Sequence, residues 1–152
     1  MVVFRDISHI ALEVTNLEES ESFYRALGME VICRDQGELG EGRVILRNAT
    51  NQLLILERVD KLSPRSRFRS WDPKRVPDPG GGERYAGAHL ALSVVSVKAY
   101  DEVYQKLLEQ GVYLEGDIRA SERAPGEKSV YFYDPSGNRL QLIILLPKAP
   151  AV

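Results

Sequence analysis

Apolar and polar positions run through the same order twice along this chain. From Ile7 to Val14 (ISHIALEV) short, often β-branched residues alternate closely enough for a strand, and Ala88 to Val95 reads the same way. Each strand leads into helical spacing. Asn16 offers an N-cap ahead of Leu17, Phe23, Tyr24 and Leu27, and Gly28 stops that helix. Ser96 caps the second helix, which carries Tyr100, Val103, Tyr104, Leu107 and Leu108 on one face before Gly111. Further strands are predicted at Met29–Arg34, Arg43–Arg47 and Leu53–Val59, then at Val112–Ile118, Ser129–Tyr133 and Arg139–Leu146. GELGEG, NATNQ, RAPGEK and DPSGN supply the turns, the last with the strongest signal. The pattern predicts an α+β fold made of two βαβββ modules.

The two runs are also alike in sequence. When His9 is laid on His89, Ala11/Ala91, Leu12/Leu92, Val14/Val94, Tyr24/Tyr104 and Leu27/Leu107 are identical as well. The chain has only two histidines, and both occupy this one repeated position. A duplicated module accounts for that more simply than coincidence.

Between the copies lies a segment of another kind, Arg58 to Ala86. It holds Pro64, Pro73, Pro77, Pro79 and the run Gly80, Gly81, Gly82. Eight basic residues face four acidic ones there, so it carries +4 while the rest of the chain carries -6, for a total of -2. Connections this long inside compact proteins are functional or unstructured. Its arginines would attract an anionic substrate, and Phe68 and Trp71 would favour docking onto the body. The expected organisation is a first module over residues 1–60, a basic connecting loop over 61–86, a second module over 87–147 and a tail over 148–152.

Composition narrows the function. At 43% hydrophobic and 28% charged over 152 residues, the chain has the balance of a soluble globular protein. Near-neutral charge argues against a nucleic-acid partner, and no apolar run approaches the ~20 residues that span a bilayer. The single cysteine, Cys33, excludes an internal disulfide and a cysteine-rich zinc module. MVVFRDISH lacks the apolar stretch of a signal peptide, so the expected location is cytoplasmic.

Imidazole chemistry then rests on His9 and His89. If the modules pack about a pseudo-twofold, two histidines from equivalent strands converge and can hold a divalent metal. Gln141, a polar residue between Leu140 and Leu142 in an apolar strand, is the candidate third ligand, since a buried amide needs a partner.

ISHIALEV, GAHLALSV, FYRALGMEV and YFYDPSGNRLQL together resemble the vicinal oxygen chelate superfamily, which includes glyoxalase I, extradiol dioxygenases, fosfomycin-resistance transferases and metal-free bleomycin-binding proteins. The resemblance covers almost the whole chain apart from Arg58–Ala86 and the tail. It implies a cupped mixed sheet around a divalent metal (zinc, manganese, iron, nickel or cobalt) and a homodimer. His9 matches the first-strand ligand and His89 the fifth-strand ligand. Gln141 stands where most members have glutamate. The fourth ligand position falls on Leu54 or Ile55, depending on register, and neither binds metal. Glu57, two residues beyond Ile55, is a candidate base, and Tyr131 and Tyr133 are candidate hydrogen-bond donors to substrate.

An amide cannot accept the proton that glyoxalase chemistry moves, and the two-histidine, one-carboxylate iron triad is incomplete here. Two functions are therefore expected. The first is a metal-dependent enzyme (lyase, isomerase or dioxygenase type) acting on a small molecule, anionic in one reading, that chelates through vicinal oxygens. The second is a metal-free small-molecule binding protein of the bleomycin-resistance type.

Overall fold

The computed structural model describes residues 7–36, 42–62, 89–118 and 127–145. They form β1 (His9–Val14), α1 (Leu17–Ala26), β2 (Glu30–Asp35), β3 (Arg43–Arg47), β4 (Leu53–Arg58), β5 (Leu90–Ser93), α2 (Val97–Glu109), β6 (Glu115–Ile118), β7 (Glu127–Tyr133) and β8 (Arg139–Leu145). The βαβββ order thus occurs twice, as predicted. The chain divides into two compact units, Met1–Ser66 and Arg67–Val152. Most of the expected connector, the GELGEG turn except Gly42, the RAPGEK turn up to its glycine, and the tail lie outside the described residues.

Both helices begin and end for the same local reasons. Asn16 Oδ1 accepts from Glu19 N at 3.1 Å, and Ser96 Oγ accepts from Ala99 N at 3.1 Å, so each cap satisfies a backbone donor that the helix cannot. At the other end, Gly28 donates to Arg25 O and Met29 to Tyr24 O, and Gly111 donates to Leu108 O and Val112 to Leu107 O. This is the paired closing motif that needs a left-handed residue after the cap, and Gly28 (φ 95°) and Gly111 (φ 70°) supply it.

The same bonds correct two predicted strand starts. Met29 and Val112 spend their N–H groups on the helix ends and so open no strand: β2 starts at the next residue, Glu30, and β6 starts at Glu115. β1 and β5 likewise start two residues later than the alternation suggests, at His9 and Leu90, because their ladders begin at His9↔Leu53 and Leu90↔Leu140.

In the first unit the sheet order is β1-β4-β3-β2, with β1 parallel to β4 and the other pairs antiparallel. The second unit repeats it as β5-β8-β7-β6. One face of each sheet is covered by its helix. Leu12, Val14, Val44, Leu46, Leu54 and Leu56 are buried together with Phe23 and Tyr24 of α1. Val130, Phe132, Leu140 and Leu142 are buried with Tyr100 and Leu107 of α2. β4 and β8 sit inside their sheets rather than at an edge, which explains their nearly unbroken apolar runs. Gln141 interrupts one of those runs.

Two turns close the hairpins as expected. Asn48 Oδ1 accepts from the Thr50 and Gln52 amides at 3.0 and 2.9 Å, with Asn51 at φ 62°. Asp134, 3% exposed, accepts from Ser136 N at 3.0 Å, Asn138 N at 2.8 Å and Asn138 Nδ2 at 2.8 Å.

Candidate functional site

The strand ladders define which side chains share the sheet face that points away from each helix. In the second unit Ala91, Gln141 and Tyr131 are in register across β5, β8 and β7. Arg139 and Tyr133 form the next such row toward one end, and Ser93, Ile143 and Ser129 the row toward the other. His89 precedes β5 by one residue and has the parity of Ala91.

Four of these side chains form one contiguous cluster. His89 Nε2 stands 3.1 Å from Gln141 Oε1. The His89 ring meets Tyr131 edge-on, with centroids 5.1 Å apart and planes at 83°. The Arg139 guanidinium lies over the Tyr131 ring, 4.2 Å from its centroid. Gln141 is 6% exposed, so its amide is a buried polar group whose oxygen meets the imidazole, as the sequence argument required.

The equivalent rows of the first unit are Ala11, Ile55 and Ile45, then Glu13, Glu57, Arg43 and Asp35, then His9, Leu53 and Arg47. Ala11 pairs with Ile55 as Ala91 pairs with Gln141, so Ile55 rather than Leu54 is the counterpart of Gln141. His9 is exposed at the start of β1, with Ser8 Oγ 3.2 Å from Nδ1. Glu57 shares the face of His9 but is exposed and lies four residues along β4 from Leu53, the ladder partner of His9. Its ladder partners are Glu13 and Arg43, and Arg43 Nε donates to Asp35 Oδ1 at 2.6 Å. The structure thus brings His89, Gln141 and Tyr131 together and sets Tyr133 in the adjoining row, while His9 and Glu57 belong to the other unit.

Arg139 is the member of the cluster that sequence reasoning missed. It stood in the quoted DPSGNRLQL motif, and its signal was parity: two residues from Gln141 on a strand means the same face.

The donor set can be tested against a divalent cation. With Nε2 deprotonated, His89 and Gln141 present one nitrogen and one oxygen lone pair 3.1 Å apart. Two neighbouring ligands of one dication, each ~2.1 Å from it and at right angles, are about 3 Å apart. The pair fits. Among the described residues no three His, Cys, Asp or Glu side chains gather into a metal-binding group, so an amide would have to take the carboxylate's part.

The family model of the Glyoxalase/Bleomycin resistance protein/Dioxygenase superfamily matches residues 6–142. The chain belongs to this superfamily. Solved structures agree with the glyoxalase-superfamily fold. A glyoxalase family protein from Enterococcus faecalis is 27% identical, with 94% of this chain and 100% of that one covered and a TM-score of 0.66. A glyoxalase/bleomycin resistance protein/dioxygenase domain from Frankia sp. EAN1pec is 19% identical over 96% of both chains, with a TM-score of 0.68. A mutant of the fosfomycin resistance protein FosX from Listeria monocytogenes, in complex with Mn(II) and 1S,2S-dihydroxypropylphosphonic acid, is 19% identical over 93% of this chain and 92% of that one, with a TM-score of 0.63. No curated protein matches the sequence. Membership in the glyoxalase superfamily accounts for the doubled βαβββ module and leaves the reaction open, because one scaffold carries many chemistries. Among the described residues no helix is long and apolar enough to cross a membrane.

Proposed function

We propose that the protein is a metal-dependent enzyme of the glyoxalase/dioxygenase superfamily acting on a small molecule that chelates through vicinal oxygens. The observation that carries this reading is the 3.1 Å approach of His89 Nε2 to Gln141 Oε1, His89 standing just before β5 while the chain's only other histidine, His9, opens the counterpart strand β1. His9, His89 and Gln141 would hold a dication, and the Mn(II) of the FosX complex is consistent with that. When bound, such an ion supplies Lewis-acid polarisation of the chelated oxygens.

The chain's own groups set the rest of the chemistry. The Gln141 amide has no basic oxygen, so it can orient and bind but cannot take a proton from substrate. Tyr131, edge-on to His89, and Tyr133, in the adjoining row, are the hydrogen-bond donors to substrate oxygens. Glu57, on the face that His9 shares, is the carboxylate proposed as base. The homodimer and the cytoplasmic location belong to the same proposal, and sedimentation and cell fractionation test them.

Metal analysis of purified and reconstituted protein decides the central point. A stoichiometric dication that is lost in His9→Ala and His89→Ala supports the enzyme; protein that stays empty after reconstitution refutes it. One observation favours a second reading. In the Nε2–H tautomer His89 donates directly to Gln141, so the pair satisfies itself without an ion. A metal-free binding protein would keep its ligand affinity after chelator treatment and in His9→Ala.

A further inference from the structure

We propose that the buried Asp134–Asn138 pair positions the site, by fixing the register of β8 and through it the places of Gln141, Tyr131 and His89; this rests on the site reading above.

The chain carries its own comparison for this turn. Asn48–Gln52 and Asp134–Asn138 each join two antiparallel strands, between the closing pairs Arg47↔Leu53 and Tyr133↔Arg139. Their backbones bond alike. Asn48 N donates to Gln52 O and Asn51 N to Asn48 O, both at 3.1 Å; Asp134 N donates to Asn138 O at 3.0 Å and Gly137 N to Asp134 O at 2.9 Å. The fourth residue is left-handed in both, Asn51 at φ 62° and Gly137 at φ 85°. In both, the first side chain accepts from the third and fifth amides.

Chemistry and burial separate the two turns. Asn48 Nδ2 donates to Gln52 Oε1 at 3.0 Å, whereas in the second turn the bond runs the other way, from Asn138 Nδ2 to Asp134 Oδ2 at 2.8 Å. Residues Ala49 to Gln52 are exposed, while Asp134, Gly137 and Asn138 are buried. When an exposed asparagine releases a donor, water replaces it. A buried carboxylate that releases one keeps unsolvated charge, so every turn geometry but the bonded one is penalised. The second turn is thereby held to one shape.

That turn leads directly into the strand that carries the site. From Tyr133↔Arg139 to Glu127↔Leu145 the β7–β8 ladder runs without a register shift, so the pairing set at the turn is passed on to Tyr131↔Gln141, two rungs away. β8 lies between β7 and β5, and Ala91↔Gln141 carries the same register to the strand that follows His89. The 3.1 Å approach of His89 Nε2 to Gln141 Oε1 is therefore tied to the turn. A slip of one residue would turn Gln141 to the helix face, and a displacement of about 1 Å is already enough to disable a site. The first turn leads instead to Ile55, at the place equivalent to Gln141.

The test compares Asp134→Ala and Asn138→Ala with Asn48→Ala, the same deletion in the turn that serves no site, in full-length protein under conditions where each variant is folded. Two readouts are taken: the NMR signals of the His89 ring in metal-free protein, and the affinity of metal-stripped protein for zinc(II). Asp134→Ala is expected to shift the His89 signals and to weaken zinc binding about tenfold or more, as misplacement by a remote change does. Asn138→Ala, which keeps both bonds from backbone amides to Asp134, should act in the same direction and decides the matter if Asp134→Ala does not fold. Asn48→Ala should match the wild type in both readouts. Wild-type His89 signals and zinc affinity in Asn138→Ala, or equal losses in Asn48→Ala, overturn the proposal. If the wild type takes up no dication, the site reading falls, and the His89 signals alone decide the role of the pair.

Discussion

His89 and Gln141, fifty-two positions apart in the chain, stand 3.1 Å from each other through imidazole Nε2 and amide Oε1. An uncharged amide therefore stands beside the imidazole, at the position where the family resemblance implies a carboxylate. A dication held there keeps more of its positive charge and is bound more weakly. Gln141→Glu is expected to tighten divalent-metal affinity about tenfold or more, read by calorimetric titration of metal-stripped protein. Unchanged affinity would remove Gln141 from the ligand set.

Asp134 organises the turn that delivers Arg139 and Gln141. Its carboxylate accepts from Ser136 N, Asn138 N and Asn138 Nδ2, and both Asp134 and Asn138 are buried. Removing the acceptor strands buried donors. Asp134→Ala should cost about 2–4 kcal/mol in urea unfolding. A cost under about 1 kcal/mol would show that the turn holds itself by other means.

Ser20 makes the opposite case. Its hydroxyl is fully buried under α1 and, among the described residues, has no hydrogen-bond partner. The position matches Tyr100 of the second copy, which is also buried. Ser20→Ala removes a desolvated hydroxyl and improves helix propensity, so stability should rise by up to about 1 kcal/mol, visible as a higher thermal midpoint. A clear fall in the midpoint would mean that the hydroxyl contributes to packing.

Glu21 accepts from Arg34 Nε at 2.8 Å, tying α1 to β2. That hydrogen bond, reinforced by the charges of Arg34 and Arg25, holds the Glu21 carboxyl below its ordinary value against the opposing effect of burial. A carboxylate with a depressed folded pKa adds stability above its unfolded pKa of about 4.3, and that contribution is lost as pH falls through the folded value. Glu21→Gln should therefore be less stable than the wild type at pH 7, with the gap closing through the acidic range. A gap that is constant with pH would show that the ionised form is not what stabilises.

The sequence alone determined the doubled βαβββ order, both helix caps, the glycine stops and the sheet class, because each depends on neighbours within a few residues: a cap oxygen three positions from its amide, a left-handed glycine, alternation along a strand. The repeat also singled out His9 and His89, and polarity inside an apolar strand singled out Gln141. Tertiary structure decided what no local pattern contains. The β1–β4 and β5–β8 ladders chose Ile55 over Leu54 as the counterpart of Gln141, and they set Glu57 beside Glu13 and Arg43. The helix ends took the amides of Met29 and Val112 and so delayed two strands. The contact of His89 with Gln141 joins segments fifty-two positions apart, and the stacking of Arg139 on Tyr131 crosses the β7–β8 hairpin; sheet register brings both pairs within a few ångströms.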